Sequence, residues 1–373
     1  MLIGLASINL SANILSALLG LLSVFIFTRL FSPHGYGVYL LGLAFATVVS
    51  VFLAGWFRNL ILSGHARNDG TEVRGVVATG YVVCCFAAPV AYGLGLLVGL
   101  DTTTALVAVA LAVAIGLFEL TQDLVGARLM AIMKGTLVRA AAALGLGVGA
   151  AMFGREGILL LLSSAFAYLL AVLVQRSVWR GTVFKFDRPA VLAAAKQGLP
   201  LTLSLTLLAI STVADRFIIA NLVGTADAGK YIAGLDLVRQ TLMMPAISAA
   251  AAFFPLAVQI HASRGDAAVR SHLGECLELL LSITLPACLG FALIAPHVAN
   301  VVLGADFRSL AAETMPIVAV AVVFQILTQQ YLHASFLLSG RNGFYLINTA
   351  SIIVVNVILS WALVSGYGTI GAA

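Results

Sequence analysis

The residues of this chain that could do chemistry are charged side chains placed inside long apolar segments. Arg239 lies deep within one segment, and Asp236 stands three residues earlier on the same helical face, close enough to pair. Asp215 and Arg216 stand in the outer part of the preceding segment. A charge at the centre of a bilayer costs about 2.5–3.5 kcal/mol on insertion scales, so each residue predicts a partner or a function. A structural ion pair and a capped helix end are the simpler explanations.

Further polar residues stand inside other apolar segments. Glu119 and Asp123 are one helical turn apart, while Gln325, Gln329 and His333 recur every four residues and would line one stripe of a helix. The two carboxylates could mark a hydrated helix end. The stripe could equally form hydrogen bonds between helices.

Sequence motifs of enzymes are absent. No G-x-x-x-x-G-K-[ST] phosphate loop, H-E-x-x-H zinc motif or G-x-S-x-G nucleophile elbow occurs. The four cysteines all lie within apolar segments and suggest no disulfide framework. We therefore expect no catalytic residue, no metal site and no cofactor.

The elements that carry these residues are membrane helices. Hydrophobic residues make up 61% of the 373 and charged residues 9%, and the mean hydropathy is +1.08. Because a bilayer needs about 20 apolar residues per helix, and because the segments lack strand alternation, the sequence predicts an all-α polytopic membrane protein. The eleven predicted spans are 7–28, 37–62, 76–99, 104–125, 136–153, 157–175, 199–223, 229–260, 274–295, 313–338 and 343–365.

The lysines and arginines predict the orientation. Of the 20, 14 fall in or beside the loops after even-numbered spans, and four after odd-numbered spans. Arg58 belongs to the larger group, at the inner end of the second span, where it could simply be an anchor. The positive-inside rule places these loops and the N-terminus in the cytoplasm. The net charge of +5 therefore requires no nucleic-acid partner.

The chain repeats itself near its middle. Residues 30–42 align with residues 222–234 at a constant offset of 192, and both contain Gly-x-Tyr-x-x-Gly. This predicts two parallel six-helix lobes around a central cavity: residues 1–180, a cytoplasmic connection over 181–198, and residues 199–373. The last residues resemble the start of a twelfth helix, so we expect the chain to stop short of its natural C-terminus.

Three stretches resemble a known family. Residues 28–33 (TRLFSP) with 35–39 (GYGVY) are similar to the first periplasmic turn of Wzx-type polysaccharide flippases. Residues 214–219 (ADRFII) with 229–233 (GKYIA) resemble their seventh-to-eighth helix junction, and residues 252–256 (AFFPL) the end of their eighth helix. These flippases belong to the multidrug/oligosaccharidyl-lipid/polysaccharide exporter superfamily. The resemblance implies a bacterial inner-membrane transporter that moves an undecaprenyl-diphosphate-linked oligosaccharide to the periplasmic leaflet by alternating access.

The resemblance also suggests roles for the intramembrane charges. Arginine binds a diphosphate through two hydrogen bonds at once, which makes Arg58, Arg216 and Arg239 candidates for substrate binding. Carboxylates that bind protons or Na⁺ could couple transport to an ion gradient. The candidates for that role are Asp215, Asp236, Glu119 and Asp123. Expected partners are the polyprenyl-diphosphate-linked glycan, the lipid bilayer, and polysaccharide polymerase or assembly proteins.

Other functions fit part of the same pattern. A drug or ion antiporter, or a lipid II flippase, would share the fold and differ in substrate. A membrane polysaccharide polymerase or ligase is disfavoured, because such enzymes tend to carry a large periplasmic loop. The longest periplasmic connection predicted here is only residues 296–312.

Overall fold

The computed structural model describes residues 2–67, 70–125, 129–180, 188–332 and 342–373. Some side chains inside its helices, including that of Arg58, lie outside the described set. All elements of the described residues are helical. The α-helices are α1 (Leu2–Leu30), α2 (Pro33–Arg67), α3 (Gly70–Cys85), α4 (Ala88–Leu97), α5 (Thr102–Val125), α6 (Leu129–Phe153), α7 (Gly157–Val174), α8 (Arg188–Ser211), α9 (Ala214–Leu222), α10 (Thr225–Val302), α11 (Arg308–Ile326) and α12 (Asn342–Tyr367).

The all-α polytopic fold predicted from the sequence is confirmed. Among the described residues, seven helices are long and apolar enough to cross a membrane, or nine when each of two bent pairs is one span. The bent pairs are α3 with α4, at 46°, and α8 with α9, at 42°. The first predicted span corresponds to α1 and the eighth to the first arm of α10. Each predicted span therefore coincides, over its described residues, with a helix, a bent pair or one arm of α10.

Helices extend past two of the predicted span boundaries. Helix α8 begins at Arg188, eleven residues before the predicted seventh span, so part of the connection predicted over 181–198 is helical. The apolar part of this bent pair begins at Thr202, close to the predicted start of the span. The predicted loop between the eighth and ninth spans is a single non-helical residue, Gly265, inside α10. A helix depends on its internal hydrogen bonds, so it can continue beyond the apolar run that marks a span.

Gly265 turns α10 into a hairpin of two arms, residues 225–264 and 266–302. The rings of Phe253 and His272, one from each arm, lie 5.6 Å apart, so the arms pack side by side. Gly265 has φ 75° and ψ −173°, a backbone conformation essentially restricted to glycine.

The helix boundaries reproduce the sequence repeat. Helix α1 ends at Leu30 and α9 ends at Leu222, while α2 begins at Pro33 and α10 at Thr225. Both pairs of positions differ by 192, the offset found in the sequence. The bent pair α8 and α9 is thus the counterpart of α1, and the first arm of α10 is the counterpart of α2.

Helix α2 is at the centre of the packing. It contacts α5 and α7 in its own half of the chain, and α8 and α10 in the other half. Buried aromatic and aliphatic side chains fill these contacts, including Phe57 and Ile61 of α2 and Leu111 of α5. The part of α2 around Trp56 packs on α8, and its first turns pack on the first turns of α10.

Candidate functional site

The bend between α8 and α9 interrupts the seventh span and releases backbone groups. Helix α8 ends at Ser211 and α9 begins at Ala214, and the carbonyl of Thr212 accepts a hydrogen bond from Arg239 Nη1 at 3.4 Å. Arg239 Nε also donates to Gln325 Oε1 of α11 at 3.2 Å. Broken helices at membrane depth are tolerated where other groups satisfy the released backbone, and Arg239 does so here.

Asp236 pairs with Arg216 instead of Arg239. The distance from Arg216 Nη2 to Asp236 Oδ1 is 2.8 Å, and the two side chains are 12% and 28% exposed. The expected i, i+3 pair within α10 is therefore wrong. Arg216 reaches Asp236 because α9 packs against the first arm of α10, a relation that spacing along a single helix cannot reveal.

Asp215 is held by a tyrosine that the site prediction missed. The hydroxyl of Tyr231 lies 3.3 Å from Asp215 Oδ2 and 3.0 Å from the carbonyl oxygen of Ala372. Its single proton can serve one of these acceptors at a time. Tyr231 is the tyrosine of the second Gly-x-Tyr-x-x-Gly motif, so the repeat carried the signal that could have identified it.

Asp215, Arg216, Tyr231, Asp236 and Arg239 thus form one cluster, which we call the charge cluster. Two of its buried atoms, Asp215 Oδ1 and Arg216 Nε, have no hydrogen-bond partner among the described residues. A buried polar atom without a partner costs about 1–3 kcal/mol. Binding of a proton, an ion or water would therefore stabilise this cluster.

The other predicted residues lie elsewhere. Glu119 and Asp123 belong to α5 in the N-terminal half. Gln329 lies in the π-helix Leu327–Leu332, which follows α11 directly, so the π turn displaces it from a regular stripe with Gln325. His333 lies outside the described residues, and the side chain of Arg58 does as well.

A second polar network joins the C-terminal ends of α5 and α7 to the N-terminal end of α6. Gln175 Nε2 donates to Gln122 Oε1 at 2.9 Å and to the carbonyl of Ala131 at 2.7 Å. Gln122 Nε2 donates in turn to Thr136 Oγ1 at 3.1 Å. These amides link helices of one half to each other, which indicates a structural role.

The two halves of the chain touch at both ends. At one end, which the lysines and arginines predict to be periplasmic and which we call the outer end, α2 and α10 approach closely: a Cβ on Gly229 would lie 2.8 Å from Gly37 N. At the opposite end, which we call the inner end, a Cβ on Gly198 of α8 would lie 2.5 Å from the carbonyl oxygen of Trp56. The charge cluster lies near the outer contact, since Tyr231 is two residues after Gly229.

Three comparisons place this architecture among known proteins. Residues 26–312 match a family described as polysaccharide biosynthesis protein, whereas no curated protein sequence matches the chain. Among solved structures, the chain is similar to the lipid II flippase MurJ in an inward closed conformation. The two share 15% sequence identity over 97% of this chain and 82% of that chain, with a TM-score of 0.78.

Transporters share the same fold. An inward-facing multidrug resistance MATE family transporter of the MOP superfamily is 16% identical, covers 98% of this chain and 92% of its own, and has a TM-score of 0.72. A MOP superfamily transporter from Pyrococcus furiosus is 16% identical over 99% of this chain and 89% of its own, with a TM-score of 0.62. At these identities the likeness concerns the fold.

Proposed function

The chain belongs to the polysaccharide biosynthesis protein family, and on that premise we propose that it is a flippase for a polyprenyl-diphosphate-linked oligosaccharide. The observation that carries the proposal is the charge cluster, a partly buried set of two arginines and two carboxylates at a broken membrane helix. Membrane proteins place such residues along substrate and ion pathways. The substrate has an anionic diphosphate, a polar glycan and an apolar tail that can stay in lipid.

The contacts divide the roles of the two arginines. Arg216 is bonded to Asp236, so its positive charge is already compensated. The hydrogen bonds described for Arg239 go to neutral groups, the amide of Gln325 and the carbonyl of Thr212. Its guanidinium is therefore the better candidate for the diphosphate. Asp215 and Asp236, held by Tyr231 and Arg216, are the candidates for binding a proton or Na⁺.

Transport would proceed by movement of the two halves as lobes. We place the N-terminus and the inner end in the cytoplasm of a bacterium, as the lysines and arginines predict. The lobes would open alternately at the inner and outer ends around the charge cluster. Glu119, Asp123 and Arg58 would then line the cytoplasmic approach. A polysaccharide polymerase that uses the delivered glycan is the expected downstream partner.

A flipping assay tests the substrate. The purified protein is placed in liposomes that contain a labelled polyprenyl-diphosphate disaccharide, and the fraction that changes leaflet is measured with time. Arg239→Ala should slow transfer by about 10- to 100-fold, the value of one charge-assisted interaction. Arg239→Lys should recover little, because an ammonium cannot form the bidentate contact.

Exposed Lys134 provides the control, since Lys134→Ala removes a cation outside the cluster. If Arg239→Ala and Lys134→Ala slow transfer equally, Arg239 is not part of the substrate site. The antiporter is the second candidate, because the same fold occurs in a multidrug resistance transporter. If the protein moves a cationic dye in response to a proton gradient and transfers no glycan, it is an antiporter and not a flippase.

A further inference from the structure

The outer contact between the halves contains hydrogen bonds from side chains of one half to backbone of the other. Arg29, at the end of α1, donates from Nη2 to the carbonyl of Val301 at 2.8 Å and from Nη1 to that of Val302 at 2.6 Å. Both carbonyls belong to the last turn of α10. This turn has no further helical residues to donate to its carbonyls, so the guanidinium supplies the missing hydrogen bonds.

Asn221 makes the corresponding contact in the opposite direction. It stands at the end of α9, and its Nδ2 donates to the carbonyl of Val98 at 3.1 Å. Val98 is the residue that caps the C-terminus of α4. Each side chain thus reaches the exposed carbonyls at the end of a helix in the other half.

The two contacts are related by the internal repeat. Arg29 and Asn221 are 192 residues apart. Each also donates to the carbonyl four residues earlier in its own helix: Arg29 to Phe25 at 2.7 Å and Asn221 to Phe217 at 2.8 Å. Phe25 and Phe217 are again 192 apart. The same arrangement of one side chain and two helix ends therefore occurs twice, with arginine in one copy and asparagine in the other.

Apolar and backbone contacts close the space between the two copies. Gly304 N donates to Thr28 Oγ1 at 3.0 Å, and the ring of Phe307 meets that of Tyr36 edge-on at 5.8 Å. A Cβ on Gly37 would collide with the carbonyl of Thr225, and one on Gly229 with the carbonyl of Pro33. The offset of 192 relates these two close contacts to each other, since it converts Gly37 into Gly229 and Pro33 into Thr225.

We propose that Arg29 and Asn221 are a pair of latches that hold the outer face closed and must release their carbonyls each time it opens. The proposal rests on the transport function inferred above. It assigns the two latches different strengths, because a bidentate, charged donor forms stronger hydrogen bonds than a single amide. Arg29 is the stronger latch, and Asn221 releases first.

The accessibility of the outer contact to a reagent tests the latches without any transport measurement. Ala228 is fully buried beside Gly229, so the labelling of Ala228→Cys in a cysteine-free chain reports opening of the outer contact. Intact cells are treated with a membrane-impermeant thiol reagent and the labelling rate is measured. We expect Asn221→Ala, which loses one hydrogen bond between the halves, to raise the rate about fivefold. Arg29→Ala, which loses two, should raise it about thirtyfold, and the double variant most, from about 1 kcal/mol per hydrogen bond.

Arg308→Ala is the matched control, because Arg308 Nε donates to the carbonyl of Leu303 within its own half. Thr103→Cys, an exposed residue at the same end, must label in every background. Arg29→Lys, which retains one donor group for the carbonyls, should fall between wild type and Arg29→Ala, and each variant is checked for unchanged abundance and gel-filtration profile. If Arg29→Ala unfolds the protein, Asn221→Ala still gives the answer.

Unchanged labelling in the latch variants, or equal acceleration by Arg308→Ala, would overturn the proposal. Protection of Thr103→Cys would overturn the assignment of this face to the outside. A failed flipping assay with accelerated labelling would refute the substrate and leave the latches intact.

Discussion

Inside the C-terminal half, two side chains of opposite charge stabilise each other. Arg216 and Asp236 come from different helices and remain largely buried at 2.8 Å. Removing one partner of such a pair leaves an isolated charge, which destabilises more than removal of both. The pairing also explains why Arg239, although three residues from Asp236, uses neutral acceptors.

A double-mutant cycle tests this pairing. Arg216→Ala and Asp236→Ala should each lower the free energy of unfolding by about 3 kcal/mol, and the double variant by less than the sum of the two. The more exposed pair of Lys230 and Asp227, at a similar distance of 2.9 Å, is the control, with an expected coupling of about 0.5 kcal/mol. Unfolding in mixed micelles by SDS gives these values. Additive losses at Arg216 and Asp236 would contradict the pairing.

Two local breaks in helices shape the elements. The break before α9 presents the carbonyl of Thr212 to Arg239, and Gly265 folds α10 into two arms. The first break is satisfied by a side chain. The second depends only on backbone conformation, since a Cβ at Gly265 would find no atom within 4 Å.

Alanine at Gly265 should therefore destabilise the hairpin through strain alone. We expect Gly265→Ala to lower the free energy of unfolding by about 2 kcal/mol. Gly274 is exposed within the second arm, and a Cβ there also meets nothing within 4 Å. Because it is helical, Gly274→Ala should stabilise by about 0.5–1 kcal/mol. Equal effects of the two changes, measured in the same SDS titration, would rule out backbone strain as the cause.

At the scale of the whole molecule, the two halves are joined by two contacts, one at each end. The outer contact contains the latches and the glycines Gly37 and Gly229. The inner contact brings α8 against α2, where a Cβ on Gly198 would lie 2.5 Å from the carbonyl oxygen of Trp56 and one on Gly55 3.1 Å from the Thr202 methyl. Glycine at these positions allows the backbones to approach, as at other helix crossings in membranes.

A larger side chain at the inner contact should hold that end open. Gly198→Val is expected to lengthen the distance between spin labels at Ser177 and Gly274, one on each half, by several ångströms, because the valine methyls cannot fit against Trp56. Gly149→Val is the control, since a Cβ on Gly149 meets nothing within 4 Å. Pulsed electron paramagnetic resonance measures both. An unchanged distance distribution in Gly198→Val would show that this contact does not control closure.

The sequence by itself determined the helical class, the approximate positions of the spans and the repeat. These follow from local properties: backbone groups inside a bilayer have no water to bond, and a helix of about 20 apolar residues satisfies nearly all of them without any neighbour. The offset of 192 found in the sequence also relates the end of α1 to that of α9 and the start of α2 to that of α10. Intramembrane charge also identified Asp215, Arg216, Asp236 and Arg239 as residues that require partners.

Only the tertiary structure decided which partners they have. Asp236 pairs with Arg216 and not with Arg239. Tyr231 contacts Asp215, and the carbonyl of Thr212 accepts a hydrogen bond from Arg239. Arg29 donates to the end of α10, more than 270 residues away in sequence. Each outcome depends on how helices distant in sequence rotate and approach one another. That arrangement is set by the sum of many apolar contacts over whole helix faces, which the spacing of a few polar residues does not encode.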